Sequence, residues 1–88
     1  METPNTDEHL IRLTNEFVAL ANKMKDEGSD IHIISAALMS SSAIYATYVT
    51  SGNEGYLHES GIDKVADIYK QNLVLIQKVK KDETEQKK

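Results

Sequence analysis

Residues 35–48, "SAALMSSSAIYATY", carry no charged side chain. They lie inside a longer segment, residues 31–53, that contains no Asp, Glu, Lys or Arg. The apolar residues of this segment recur at helical spacing, which predicts an α-helix. A helix without charge on any side is typical of one that neighbours cover on more than one side. We therefore expect this segment to form the central helix of the fold.

The two sides of this helix differ in the size of their side chains. One broad face is apolar and is interrupted at its middle by Ser41. The opposite side holds small residues: Ser35, Ala36, Ser40, Ser42, Ala43 and Thr47. Because small residues let a second helix come close, we predict that this side is a self-association face. Close packing against another helix of the same chain is the alternative.

Two amphipathic segments flank the central one. The first has an apolar stripe from Leu10 to Met24 and is ended by Gly28; the third has a stripe from Ile62 to Val79. We predict an all-α fold, a three-helix antiparallel bundle with helices at about residues 6–27, 30–50 and 60–80. Residues 6–80 would form one domain between an N-terminal tail, residues 1–5, and a charged, flexible or fraying C-terminal tail, residues 81–88.

Composition argues against several classes of protein. The chain has no cysteine, so disulfides and thiolate metal sites are excluded. Its net charge is −4, from 14 acidic and 10 basic residues, which disfavours a nucleic-acid partner. The first residues lack the basic and apolar stretches of a signal peptide, so we expect a cytoplasmic protein. Residues 31–53 are long enough to span a bilayer, but their many hydroxyl groups lead us to expect no membrane span.

Three groups of residues are candidates for chemistry or binding. His9, His32 and His58 come from separate segments without metal-ligand spacing, so we expect no metal and no cofactor. No nucleophile motif surrounds the serines, so we assign no catalytic residue and expect no enzyme. The remaining candidates are a ligand pocket at Ser41, Tyr45 and Tyr48, and a partner surface at Tyr56, Leu57 and His58.

The segment "FVALANKMKDEG", residues 17–28, followed by "SAALMSSSAIYA", residues 35–46, resembles an uncharacterised family of short bacterial helical proteins, a domain of unknown function. The matching positions are Phe17, Leu20, Ala21, Asn22, Ser35, Ala36, Ala37, Leu38 and Tyr45. This chain departs from the family pattern at Ser40, Ser41 and Ser42, where more alanine and aromatic residues are expected. The resemblance implies a bacterial cytoplasmic helical protein and no assigned activity.

The apolar flanks of the outer helices exceed what one central helix covers, which favours a second copy as the partner. We therefore predict a non-enzymatic protein–protein interaction module that acts as a homodimer. The alternative is a small-molecule-binding helical bundle with its pocket near Ser41, Tyr45 and Tyr48.

Overall fold

The structure is a computed structural model that describes residues 6–86. It contains three α-helices: α1, Thr6–Asp26; α2, Ile31–Ser51; and α3, Glu59–Gln86. A short 3-10 turn, Gly52–Glu54, follows α2 directly. The described residues form no β-strand, so the all-α, three-helix class predicted from the sequence is confirmed. The predicted tail at residues 1–5 lies outside the described residues.

The connection between α1 and α2 is a tight turn that backbone hydrogen bonds to the last turn of α1 hold in place. The Gly28 amide donates to the Lys25 carbonyl at 2.9 Å, and the Ser29 amide donates to the Met24 carbonyl at 3.0 Å. This pair of bonds is a Schellman motif, which requires a left-handed residue at its centre. Gly28 has φ 106°, a conformation that glycine adopts without steric cost.

Asp30 begins the next helix within the same turn. Its Oδ1 accepts hydrogen bonds from the amides of His32, at 2.8 Å, and Ile33, at 3.3 Å. These are the second and third amides of α2, which have no partner inside the helix. Asp30 is thus the N-cap of α2.

The chain divides into two packed units, and the boundary falls within α2. The first unit, Met1–Ser42, contains α1 and the first half of α2. These two segments run antiparallel, because Met24 and Ile34 lie near the turn and Phe17 and Ser41 lie farther from it on one shared cleft. Ile34 is the one buried residue among those described.

The second unit, Ala43–Lys88, contains the rest of α2, the connecting turn and α3. Its half-buried residues are Ala46, Thr47, Ser51, Leu57, Gly61 and Val65. The interior of this unit therefore lies between the small-residue side of α2 and the first turns of α3. Gly61 suits this position, because a Cβ added to it would stand 3.3 Å from Leu57 Cδ2.

The third helix is longer than the sequence predicted, since it continues to Gln86 instead of ending near residue 80. Lys, Glu and Gln are good helix formers, which accounts for the extension through a segment without apolar residues. Thr84 Oγ1 also donates to the Lys80 carbonyl at 2.8 Å, and Lys80 Nζ lies 3.8 Å from Glu83 Oε2. The predicted fraying of residues 81–88 stays a prediction.

Removal of the Asp30 cap should destabilise the protein. We expect Asp30→Ala to lower the free energy of unfolding by about 1 kcal/mol, because the His32 and Ile33 amides lose their acceptor. Asp30→Asn keeps an acceptor oxygen and should remain within about 0.5 kcal/mol of wild type. Urea unfolding followed by circular dichroism measures both variants. Equal stability of all three proteins would contradict this role.

Candidate functional site

A cleft in the first unit is lined by both of its helical segments. Its volume is about 160 Å³. The lining residues are Phe17, Leu20, Ala21, Met24, Ile34, Ala37, Leu38 and Ser41. Ser41 is the one hydroxyl residue in this set, and every other member is apolar. The cleft is thus suited to an apolar group that carries at most one polar atom.

The sequence predicted Ser41 as part of a pocket but not the residues of α1 that complete it. Phe17 and Met24 lie in the apolar stripe of the first helix. Helical spacing shows on which face of a helix a residue lies, but it does not show whether a cleft opens at that face. Phe17 is 63% exposed although it lines the cleft. Part of the cleft wall is therefore open to solvent.

Tyr45 and Tyr48, the other two predicted pocket residues, do not line this cleft. They belong to the second unit, where their ring centroids are 6.5 Å apart at an interplanar angle of 72°. This edge-to-face arrangement is a favourable one for aromatic pairs. Their exposed fractions are 71% and 68%, so the pair stands on an uncovered part of α2.

The predicted self-association face is mostly exposed. Ser35, Ala36, Ser40, Ser42 and Ala43 are exposed, whereas Thr47 is half-buried. Thr47 Oγ1 donates to the Ala43 carbonyl at 2.8 Å, so its hydroxyl is satisfied within α2. At its C-terminal end this side is thus part of the interior of the second unit, and its role in self-association stays a prediction.

The predicted partner surface divides into an inner and an outer part. Leu57 is half-buried against Gly61, while Tyr56 and His58 face outward. The His58 and Tyr56 rings make an edge-to-face contact with centroids 5.2 Å apart. His58 Nε2 also lies 2.8 Å from Glu54 Oε2, a partner that the sequence analysis missed although the spacing of four residues could have indicated it. Both side chains of this contact are exposed, so it contributes little to stability.

Neither a metal centre nor a membrane segment is established. Within residues 6–86, no group of three or more His, Cys, Asp or Glu side chains could hold a metal ion. The segment Ile31–Glu54 is long and apolar enough to cross a membrane, with a mean hydropathy of 1.3. A core helix of a soluble protein can have this length and composition, although such helices are mostly buried and only 6% of this window is. The expectation of no membrane span stays a prediction.

Comparison with protein-family models, curated proteins and solved structures finds no match to this chain. The resemblance to a bacterial family of unknown function therefore stays a prediction.

Two alanines of α2 test which part of the small-residue side is covered. Ala46 is half-buried, and we expect Ala46→Lys to lower the free energy of unfolding by about 1–3 kcal/mol, because a long charged side chain overfills the interior of the second unit. Ala36 is exposed, and Ala36→Lys should change the free energy of unfolding by less than about 0.5 kcal/mol. Both substitutions replace Ala with Lys in the same helix, so the change in helix propensity is the same for the two variants. A similar loss at both positions in urea unfolding would show that Ala36 is covered too.

Proposed function

We propose that this chain is a non-enzymatic protein–protein interaction module that acts as a homodimer in the cytoplasm. The observation that carries the proposal is the exposure of its apolar side chains. Ile34 alone is buried among the described residues, while 24 large hydrophobic side chains are at least 40% exposed. Folded proteins in water rarely leave contiguous apolar surface of this extent without a partner.

The distribution of charge favours a protein partner over a lipid or nucleic-acid partner. The uncovered side of α2 presents tyrosines and branched apolar residues, which are enriched at the centres of protein interfaces. The serines and threonines of α2 would need hydrogen-bond partners in hydrocarbon. The net charge of −4 opposes binding to phosphate groups.

The mass of the protein in solution tests this proposal. We expect light scattering at low micromolar concentration to give twice the chain mass of 9.8 kDa, because burial of the exposed apolar faces stabilises the pair. The thermal midpoint should also rise with protein concentration, as it does for a folded state that is coupled to association. If the measured mass in solution stays at that of one chain up to high micromolar concentration, the proposal is contradicted.

One observation favours a second candidate, a small-molecule-binding bundle. The cleft that contains Ser41 has a volume of about 160 Å³ and is lined by apolar side chains, a setting in which a small ligand can bind. The predicted pocket partners Tyr45 and Tyr48 are not part of that lining, so the ligand would meet Ser41 as the one hydroxyl residue.

A thermal-shift screen against metabolites separates the two candidates. If the cleft binds a small molecule, the thermal midpoint should rise with the logarithm of ligand excess. Under the interaction proposal, we expect no metabolite to shift the midpoint, while protein concentration does. A saturable shift that Ala37→Phe abolishes would favour the small-molecule function, since Ala37 lines the cleft and a phenyl ring would fill it.

A further inference from the structure

We propose that α3 pairs in parallel with α3 of a second copy, as a short two-stranded coiled coil in which Asn72 sets the register. This inference rests on the proposed homodimer, which draws on apolar exposure throughout the chain, and it assigns one contact of that dimer to a named surface. The contact lies wholly on α3, in the part of the helix that follows the interior of the second unit.

The interior of the second unit covers only the first turns of α3. Gly61 and Val65 are half-buried, whereas every residue from 66 to 86 is exposed. At 1.5 Å per residue, this exposed part of α3 is about 30 Å long. It is therefore long enough for another helix to lie along it.

Four residues of this exposed part form a line that we call the α3 seam: Ile68, Asn72, Leu75 and Val79. They recur at alternating intervals of four and three residues, the spacing that keeps side chains on the contact line of two paired helices. The three apolar members are 56%, 58% and 47% exposed, in chain order. The seam is thus an apolar line without full cover among the described residues.

The residue types of the α3 seam favour one additional helix. Asn72 and Val79 occupy the a positions of a heptad, and Ile68 and Leu75 occupy the d positions. A β-branched residue at a and Leu at d favour two strands, and a single Asn at an a position specifies the register of such a pair. An amide group both donates and accepts hydrogen bonds, so the same amide of a second copy is a matching partner for it.

Asn72 also decides the orientation of the pair. In a parallel coiled coil, identical a positions face each other, so Asn72 faces Asn72 of the second copy and the two amides can exchange hydrogen bonds. In the antiparallel register that uses the whole seam, each Asn72 would lie against Leu75 of the second copy. Both amides would then be buried without a partner, which is costly in an apolar seam.

Charge complementarity favours the same orientation. In a parallel pair, a g residue lies beside the e residue five positions later in the other helix, which sets Lys78 beside Glu83 of the second copy. This contact occurs twice in a symmetric pair, and both side chains are exposed and belong to α3. In an antiparallel pair, g residues lie beside g residues, so Lys78 would meet Gln71 and gain no opposite charge.

Sedimentation equilibrium of two matched variants tests the inference. We expect Leu75→Asp to raise the dimer Kd about tenfold or more, because each pair would bury two carboxylates in an apolar seam. The control Val74→Asp replaces a residue that is 60% exposed and lies outside the seam, so its Kd should stay within about threefold of wild type. An unchanged Kd for Leu75→Asp overturns this inference and leaves the homodimer standing. A wild type that is monomeric at every concentration overturns both.

An isosteric change tests Asn72 itself. We expect Asn72→Asp to raise the dimer Kd about tenfold or more, because two facing carboxylates repel each other where two amides exchange hydrogen bonds. Asn53→Asp makes the same change in the turn Gly52–Glu54, outside α3, and should leave the Kd within about threefold of wild type. If the two variants change the Kd equally, Asn72 is not in the interface and the inference fails.

Cysteine cross-linking reports the orientation directly, since the chain has no cysteine of its own. Leu75→Cys should form a disulfide with Leu75→Cys of the second copy under mild oxidation, because identical d positions face each other in a parallel pair. Val74→Cys, one residue away and outside the seam, should stay reduced under the same conditions. A disulfide that forms only when Leu75→Cys and Asn72→Cys chains are mixed would show an antiparallel pair and overturn the inference.

Discussion

The constraint on which this structure depends is that α2 contains no Asp, Glu, Lys or Arg along its length, so the helix is poorly solvated unless other apolar surfaces cover it. A helix of this kind gains its stability from packing and not from its own propensity. The two sides of α2 meet that constraint differently. In the first unit, α1 lies along the large apolar face, whereas in the second unit the half-buried residues of α2 are Ala46, Thr47 and Ser51, which lie away from that face.

As a result, the part of the large apolar face of α2 that belongs to the second unit is not covered by other residues of that unit. Tyr45, Tyr48 and Val49 are each more than two-thirds exposed. Exposure of single apolar residues is ordinary, but a continuous aromatic and aliphatic surface on one helix is typical of an interface. The proposed homodimer is based on this surface.

The sequence was sufficient for the fold class and for most helix ends, because those features depend on local physics. Gly28 and Asp30 stop one helix and start the next through backbone conformation and hydrogen bonding within a few residues. The end of α3 was placed too early because the absence of apolar residues after Val79 was given more weight than the helix propensity of Lys, Glu and Gln.

The candidate site was less accessible to sequence reasoning. Helical spacing put Ser41, Tyr45 and Tyr48 on one face, but it could not show that Ser41 lines a cleft with α1 while the tyrosines stand outside that lining. The depth of a cleft depends on how two helices fit together, which is a long-range property. The contact of His58 with Glu54 is local in sequence, but it depends on how the turn between them folds back.

The four-residue turn between α1 and α2 has a consequence for the order of events during synthesis. The residues that line the cleft all lie between Phe17 and Ser41, and the two helical segments that carry them are joined by a four-residue turn. Contacts between residues close in sequence form fastest, and N-terminal parts of a chain fold first as they leave the ribosome. The segments that form the cleft therefore leave the ribosome before α3 does, and their contacts are of the kind that form early.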